Sequence, residues 1–239
     1  MKLNGQQAFA FVRFLTIGLS VAFALNAGPA LAWSQLFNDF DTGGSGYCGG
    51  STTYPCLFWQ EANWTSTTLN ASIAPSADGD NYSMTTAINR AFGDFTAAPA
   101  YNPYINQCTS GTSCGTVAYY GSLNLGCGVY AGTSFPQLGT IEYSSGIGYY
   151  QFATLAQVAF NTAPYMSWNN SLDYSYDASS CTFNADGRKV ATHETGHVMG
   201  LGHTSYTAVM HQGAEPFYSL QSNDIQGLQA IYTGTSPSS

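Results

Sequence analysis

Three of the chain's four histidines fall in one short stretch, His193-Glu-Thr-Gly-His-Val-Met-Gly-Leu-Gly-His203, and that stretch constrains the fold more than any other. On a helix His193 and His197 lie four apart and project from one face, within reach of one metal ion at the ~2.0 Å of a zinc–nitrogen bond. Gly200 and Gly202 then end the helix and, by visiting positive φ, let the backbone bring His203 back as a third ligand. Glu194 occupies the same turn, where a carboxylate can act as general base on a metal-activated water. Three neutral nitrogens leave a fourth position open, which marks a catalytic rather than a structural zinc site. Iron or copper can also take three imidazoles, but the adjacent glutamate favours zinc and hydrolysis. The bland alternative is three histidines placed by chance on a buried helix. Five specified positions at roughly one in twenty each put that on the order of one in ten thousand for a chain of this length.

Composition removes several other classes. Charged residues are 8% of the 239, against about 25% in ordinary soluble domains, so the surface is built from Ser, Thr, Asn, Gly and Tyr. Lys plus Arg number 5 against 13 acids, which leaves no basic patch to neutralise phosphates and excludes nucleic-acid binding. Aromatic residues at 15% carry too much buriable surface for a disordered chain.

The N-terminus reads as a targeting segment. Lys2 and Arg13 precede the apolar run Phe14 to Ala27, which leads to Ala30-Leu31-Ala32, an A-x-A cleavage site. About 14 apolar residues are too few for the ~20 that span a bilayer. Cleavage after Ala32 leaves three bases against thirteen acids, a charge of −10, on an exported chain with no membrane anchor. Cys48, Cys56, Cys108, Cys114, Cys127 and Cys181 all lie beyond that point. No C-x-x-C pair occurs among them, so three disulfides are expected, with 15 connectivities open. Short spacing favours Cys48 with Cys56 and Cys108 with Cys114, leaving Cys127 for Cys181.

Along the chain, 33–60 is expected to be irregular. Leu69, Ala71 and Ile73 alternate as in a half-buried strand. Met84, Ala87, Ile88, Ala91, Phe92 and Phe95 fall on one helical face behind Ser83 as N-cap. Residues 97–150 read as strands and loops, with Val117–Tyr120 and Thr140–Tyr143 the β-prone pieces. Gln157–Asn161 is a further strand candidate and 162–187 a long polar connection, after which a helix opens near Arg188. A last helix begins at Ser222 as N-cap and turns Ile225, Leu228 and Tyr232 inward. The fold class is α+β, with residues 1–32 a signal peptide, 33–60 irregular, 61–233 the catalytic domain and 234–239 a polar tail.

The motif resembles that of the metzincin metallopeptidases, H-E-x-x-H-x-x-G-x-x-H followed by a methionine turn, and every fixed position matches. Ala208-Val209-Met210-His211 is similar to that turn, which implies that Met210 lies beneath the metal as an apolar platform. Ser222 to Tyr232 is similar to the last helix of the matrixin branch. The resemblance implies a twisted mixed sheet with an active-site helix, a backing helix and a C-terminal helix. It further implies a secreted zinc endopeptidase, monomeric, extracellular or periplasmic, acting on polypeptides with His193, His197 and His203 on zinc and Glu194 as base. Residues 212–220, with Pro216, Phe217 and Tyr218, would lie near the pocket for the side chain after the scissile bond. Three departures from matrixins stand out. There is no P-R-C-G-type latency cysteine, only His211 remains for a second zinc, and the cysteine-bearing middle region has no match. Asp39 or Asp41 could block the zinc in a latent form. One zinc is therefore expected, with calcium possible on Asp78, Asp80 or Asp186. The alternative is a catalytically weak or inactive surface or binding protein on a metzincin scaffold, and a binding module would have no need of Glu194.

Overall fold

In the computed structural model the described residues are 56–59, 68–73, 83–97, 104–108, 118–144, 148–171, 174–204, 206–211 and 217–233, and all lie in Leu31–Ser239, one of two units into which the chain divides. Asp39, Asp41, Asp78 and Asp80 lie outside them, as do the proposed cleavage site and the polar tail.

A long strand, β6 (Gly148–Asn161), organises the larger sheet. Through its first half it pairs in parallel with β1 (Cys56–Trp59), and through its second half with β4 (Ala118–Leu123). Beyond β4 lie β2 (Thr68–Ile73) and then β3 (Tyr104–Cys108), also parallel. Parallel neighbours need a crossover, and helix α1 (Met84–Thr96) supplies one between β2 and β3. The remaining edge of β6 carries the antiparallel β5 (Ala131–Ser144), whose register shifts between Ser134 and Gln137 and twice more before Ile141. Pro136 sits in the first shift. A proline has no N–H to give a ladder and is tolerated at an edge or a bulge, and β5 offers both.

The apolar stripe read from α1 is its buried face: Met84, Ala87, Ile88, Ala91, Phe92 and Phe95 are all buried, and Ser83 Oγ accepts from Thr86 N–H at 3.2 Å as N-cap. That face packs against the second helix, α2 (Gly187–Val198), and the sheet, with Phe92 edge-on to Tyr120 of β4 at 5.1 Å. Asp94 of α1 accepts from Arg188 Nε at 2.9 Å, which ties the two helices at their surface.

Several expectations need correction. Residues 33–60 are not wholly irregular, because 56–59 form β1. The strand expected at Gln157–Asn161 begins nine residues earlier, at Gly148. Residues 162–187 are not a plain connection. They contain β7 (Met166–Asn169), β8 (Ser175–Asp177) and β9 (Thr182–Asp186), a small sheet in the order β7-β9-β8 that buries Phe183 and Ala185. The disulfide Cys127–Cys181 ties this sheet to the loop before β5. The side chains of Cys48, Cys56, Cys108 and Cys114 lie outside the described set.

That loop is fixed from within by Asn161, at the end of β6. Its amide donates to Gly126 and Val129 carbonyls at 2.8 and 2.6 Å, and its carbonyl accepts from Leu125 and Ala163 N–H. All four bonds that a buried asparagine can make locally are thereby used, which sets where β5 starts. In the last helix, α3 (Ser222–Thr233), Ser222 is the first helical residue rather than the cap. Gln221 holds the cap position: its carbonyl accepts from Ile225 N–H, and its own N–H donates to Asp224 Oδ2 at 2.8 Å, one half of a capping box. Leu228 and Ile231 are the buried apolar residues of α3, with Ile225 packed against them; the Tyr232 side chain is outside the described set.

Candidate functional site

Helix α2 starts where Asp186, the last residue of β9, accepts from Lys189 N–H at 2.9 Å as N-cap. Asp186 also accepts from the Tyr218 hydroxyl at 2.6 Å, and Arg188 lies 4.4 Å over the Tyr218 ring. The carboxylate expected as a calcium donor is therefore buried and committed to starting the helix. Tyr218, expected near the substrate pocket, is bonded to the start of that helix.

The helix ends in a Schellman motif. Gly200 has φ 94°, Leu201 N–H reaches back to Gly196 O and Gly200 N–H to His197 O, each at 2.9 Å. Gly202 does not adopt positive φ, so one glycine, not two, makes the turn. The turn also delivers a carbonyl to the site, because Leu201 O accepts from His197 Nδ1 at 2.8 Å.

After the turn, His203 Nε2 lies 3.1 Å from His193 Nε2 and 3.2 Å from His197 Nε2, and the three ligand atoms are all within 4.8 Å of one another. His193 Nδ1 is bonded to Val209 O at 2.8 Å. A carbonyl only accepts, so Nδ1 of both His193 and His197 carries the hydrogen and their Nε2 atoms present bare lone pairs. One proton on His203 Nε2 could serve only one of the two contacts and would leave the other lone pair without a hydrogen, while His203 Nε2 without its proton would set lone pair against lone pair at both. A cation in the middle removes that repulsion. Four tetrahedral ligands about 2.0 Å from zinc stand a little over 3 Å apart, which the two contacts to His203 match. Burial, aided by the neighbouring His203, pushes His193 down to about 3, and His197 falls well below its ordinary value for the same reasons. Both imidazoles are thus neutral, the form that binds a metal.

Glu194 is buried beside them, and burial pushes its carboxyl up to about 7 against the opposing pull of a hydrogen bond from Thr133. That bond, Thr133 Oγ1 to Glu194 Oε2 at 2.7 Å, reaches from the edge strand β5 to helix α2. Met210 is buried under α2, so close that a Cβ built on Gly196 would lie 2.1 Å from Met210 Sδ. Asp224 fixes the turn from the other side, its carboxylate accepting from Val209 N–H at 2.9 Å and Met210 N–H at 3.2 Å. His211 lies outside the three-histidine group, its N–H bonded to Ala208 O.

Thr133, Asp224 and the Tyr218–Asp186 pair have no motif of their own. Asp224 and Asp186 had local signals, an acid in the first turn of α3 and an aspartate at the N-cap of α2. The second task of Asp224, at a loop fifteen residues away, has none.

The matrixin family model matches residues 142–233. Matrix metalloproteinase-19 of Mus musculus is 44% identical over 54 residues, covering 21% of this chain and 10% of that protein. Matrix metalloproteinase-19 of Homo sapiens is 41% identical over 54 residues, covering 21% of the chain and 11% of the protein. The chain spans about a tenth of the length of the curated relatives that it matches.

Proposed function

From the matrixin likeness over residues 142–233 we propose that the chain is a matrixin-like metzincin and a secreted zinc-dependent endopeptidase. The observation that carries the reading is the meeting of three imidazole nitrogens, two of them on rings whose Nδ1 is already bonded to a carbonyl, next to a buried carboxylate. His193, His197 and His203 would hold the zinc through Nε2. When bound, the ion supplies Lewis acidity to a water molecule and to the scissile carbonyl. Glu194 takes the proton of the attacking water on its carboxylate and hands it to the leaving amine nitrogen. A carboxyl raised by burial is suited to both transfers near neutral pH. Met210 gives the histidines an apolar floor, and Asp224 and Gly196 set its height.

A peptide rather than another acyl substrate is favoured by β5. Among the described residues its outer edge pairs with no strand, and Thr133 on this strand touches Glu194. An extended polypeptide can add to such an edge by main-chain hydrogen bonds, which brings its amide groups beside the general base. Secretion is supported by the Lys2, Arg13 and Ala30-Leu31-Ala32 pattern, with maturation expected at Trp33. Among the described residues no helix is long and apolar enough to cross a membrane.

A casein or gelatin gel run with and without chelator, followed by zinc restoration, tests the reading. Clearing that chelation abolishes and zinc restores is expected. Clearing indifferent to chelator, or none from zinc-loaded protein on several unfolded substrates, overturns it.

A further inference from the structure

We propose that Thr133 is a positioning residue for Glu194, holding the carboxylate in the one orientation from which it can work as base; the proposal rests on the peptidase reading above. Three observations carry it. Thr133 Oγ1 stands 2.7 Å from Glu194 Oε2, a short bond to a carboxylate. It is the one hydrogen bond to the Glu194 carboxylate recorded among the described residues. Thr133 is also held on both sides of its own chain: it is paired with the buried Val158 of β6, and its hydroxyl lies 3.3 Å from the Glu194 carbonyl, on the same turn of α2.

The last torsion of a glutamate is broad and roughly two-fold, so packing alone does not choose which oxygen faces the reacting water. A hydroxyl bonded to Oε2 makes that choice, leaving Oε1 for the water. Thr is β-branched and has few χ1 options, so the hydroxyl is itself pre-aimed. A hydroxyl has one hydrogen and two lone pairs. It donates to Glu194 while the group is a carboxylate. It goes on donating to Oε2, the carbonyl oxygen of the neutral acid, once Oε1 has taken the proton, so the contact survives both halves of the transfer.

Thr133→Val removes the hydroxyl and keeps the shape, while Thr133→Ser keeps the hydroxyl. In the zinc-loaded full chain the valine variant is expected to lose about tenfold in kcat with KM within twofold, the serine variant to recover most of that loss, and thermal midpoint and zinc content to stay at wild-type values. In a Glu194→Gln background the valine change should cost nothing further. A crystal structure of Thr133→Val supplies a readout independent of turnover, with the Glu194 carboxylate expected to leave its position. An unmoved carboxylate, a kcat within twofold of wild type, or a loss confined to KM would overturn the assignment. A wild-type protein without peptidase activity would overturn the parent reading instead, and the crystal structure would still decide whether Thr133 sets the carboxylate.

Discussion

Gly196 and Met210 touch so closely that the smallest side chain at 196 would overlap the methionine sulfur, at 2.1 Å from Sδ and 3.1 Å from Cε. Gly196 is the residue before His197 on α2, and the carbonyl preceding Met210 orients His193. The spacing between helix and turn therefore sets how the histidines stand over their floor. Gly196→Ala must push Met210 down or α2 up. A cost of about 1–3 kcal/mol in stability is expected from overpacking, with a weaker zinc affinity. The double variant Gly196→Ala, Met210→Ala should bind zinc more tightly than Gly196→Ala alone. Calorimetric zinc titration of the three proteins checks this, and a single variant with wild-type affinity would show that the contact does not set the site.

The Asp224 carboxylate accepts three backbone N–H groups, from Gln221, Val209 and Met210. Burial raises its carboxyl above the usual range while these bonds pull it down. Asp224→Ala strands three donors in the interior at about 1–3 kcal/mol each where water cannot reach them. Loss of at least about 3 kcal/mol of stability is expected. Asp224→Asn keeps one acceptor oxygen and should cost less. Urea midpoints rank the three proteins, and an alanine variant as stable as the asparagine one would contradict the assignment.

The metal-free protein should weaken on mild acidification. His193 and His197 have folded-state values far below their ordinary one near 6.5, so below that pH each takes up a proton only in the unfolded chain. Their contribution is fully present above pH 6.5 and is lost as pH falls. Glu194 opposes them. Its folded value of about 7 lies above the ordinary carboxylate value, so between those two it binds a proton only in the folded chain. Two protons against one leave a net loss of about 1.4 kcal/mol per pH unit between roughly 6.5 and 5. Urea midpoints of chelated protein across that window should fall with pH. Glu194→Gln should steepen the fall, and a midpoint that rises would reverse the assignment of neutral histidines.

What could be read in the sequence follows from where each element's signal lies. Helix α1 has one buried face and one wet face, so its period shows. Strand β6 is buried on both faces over 150–153, near its start, which erases the alternation by which a strand is recognised, and only its last residues were legible. In β5 glycines, Pro136 and the register shifts break the period. β7, β8 and β9 are three to five residues each and exist through pairing with one another. At the site His193, His197 and Glu194 were legible because helical spacing aligns them, and His203 because a glycine turn follows directly. Thr133 was not, since its separation of 61 positions from Glu194 is closed by sheet pairing.

The central claim is that one zinc on His193, His197 and His203 and one base, Glu194, carry peptide hydrolysis. The most direct measurement takes extensively dialysed wild-type protein and Glu194→Ala, determines zinc by elemental analysis and follows cleavage of one peptide by both. The account predicts one zinc per chain in each protein and a rate about 10²-fold or more lower in the variant. A variant that keeps its zinc and cleaves at the wild-type rate would contradict it.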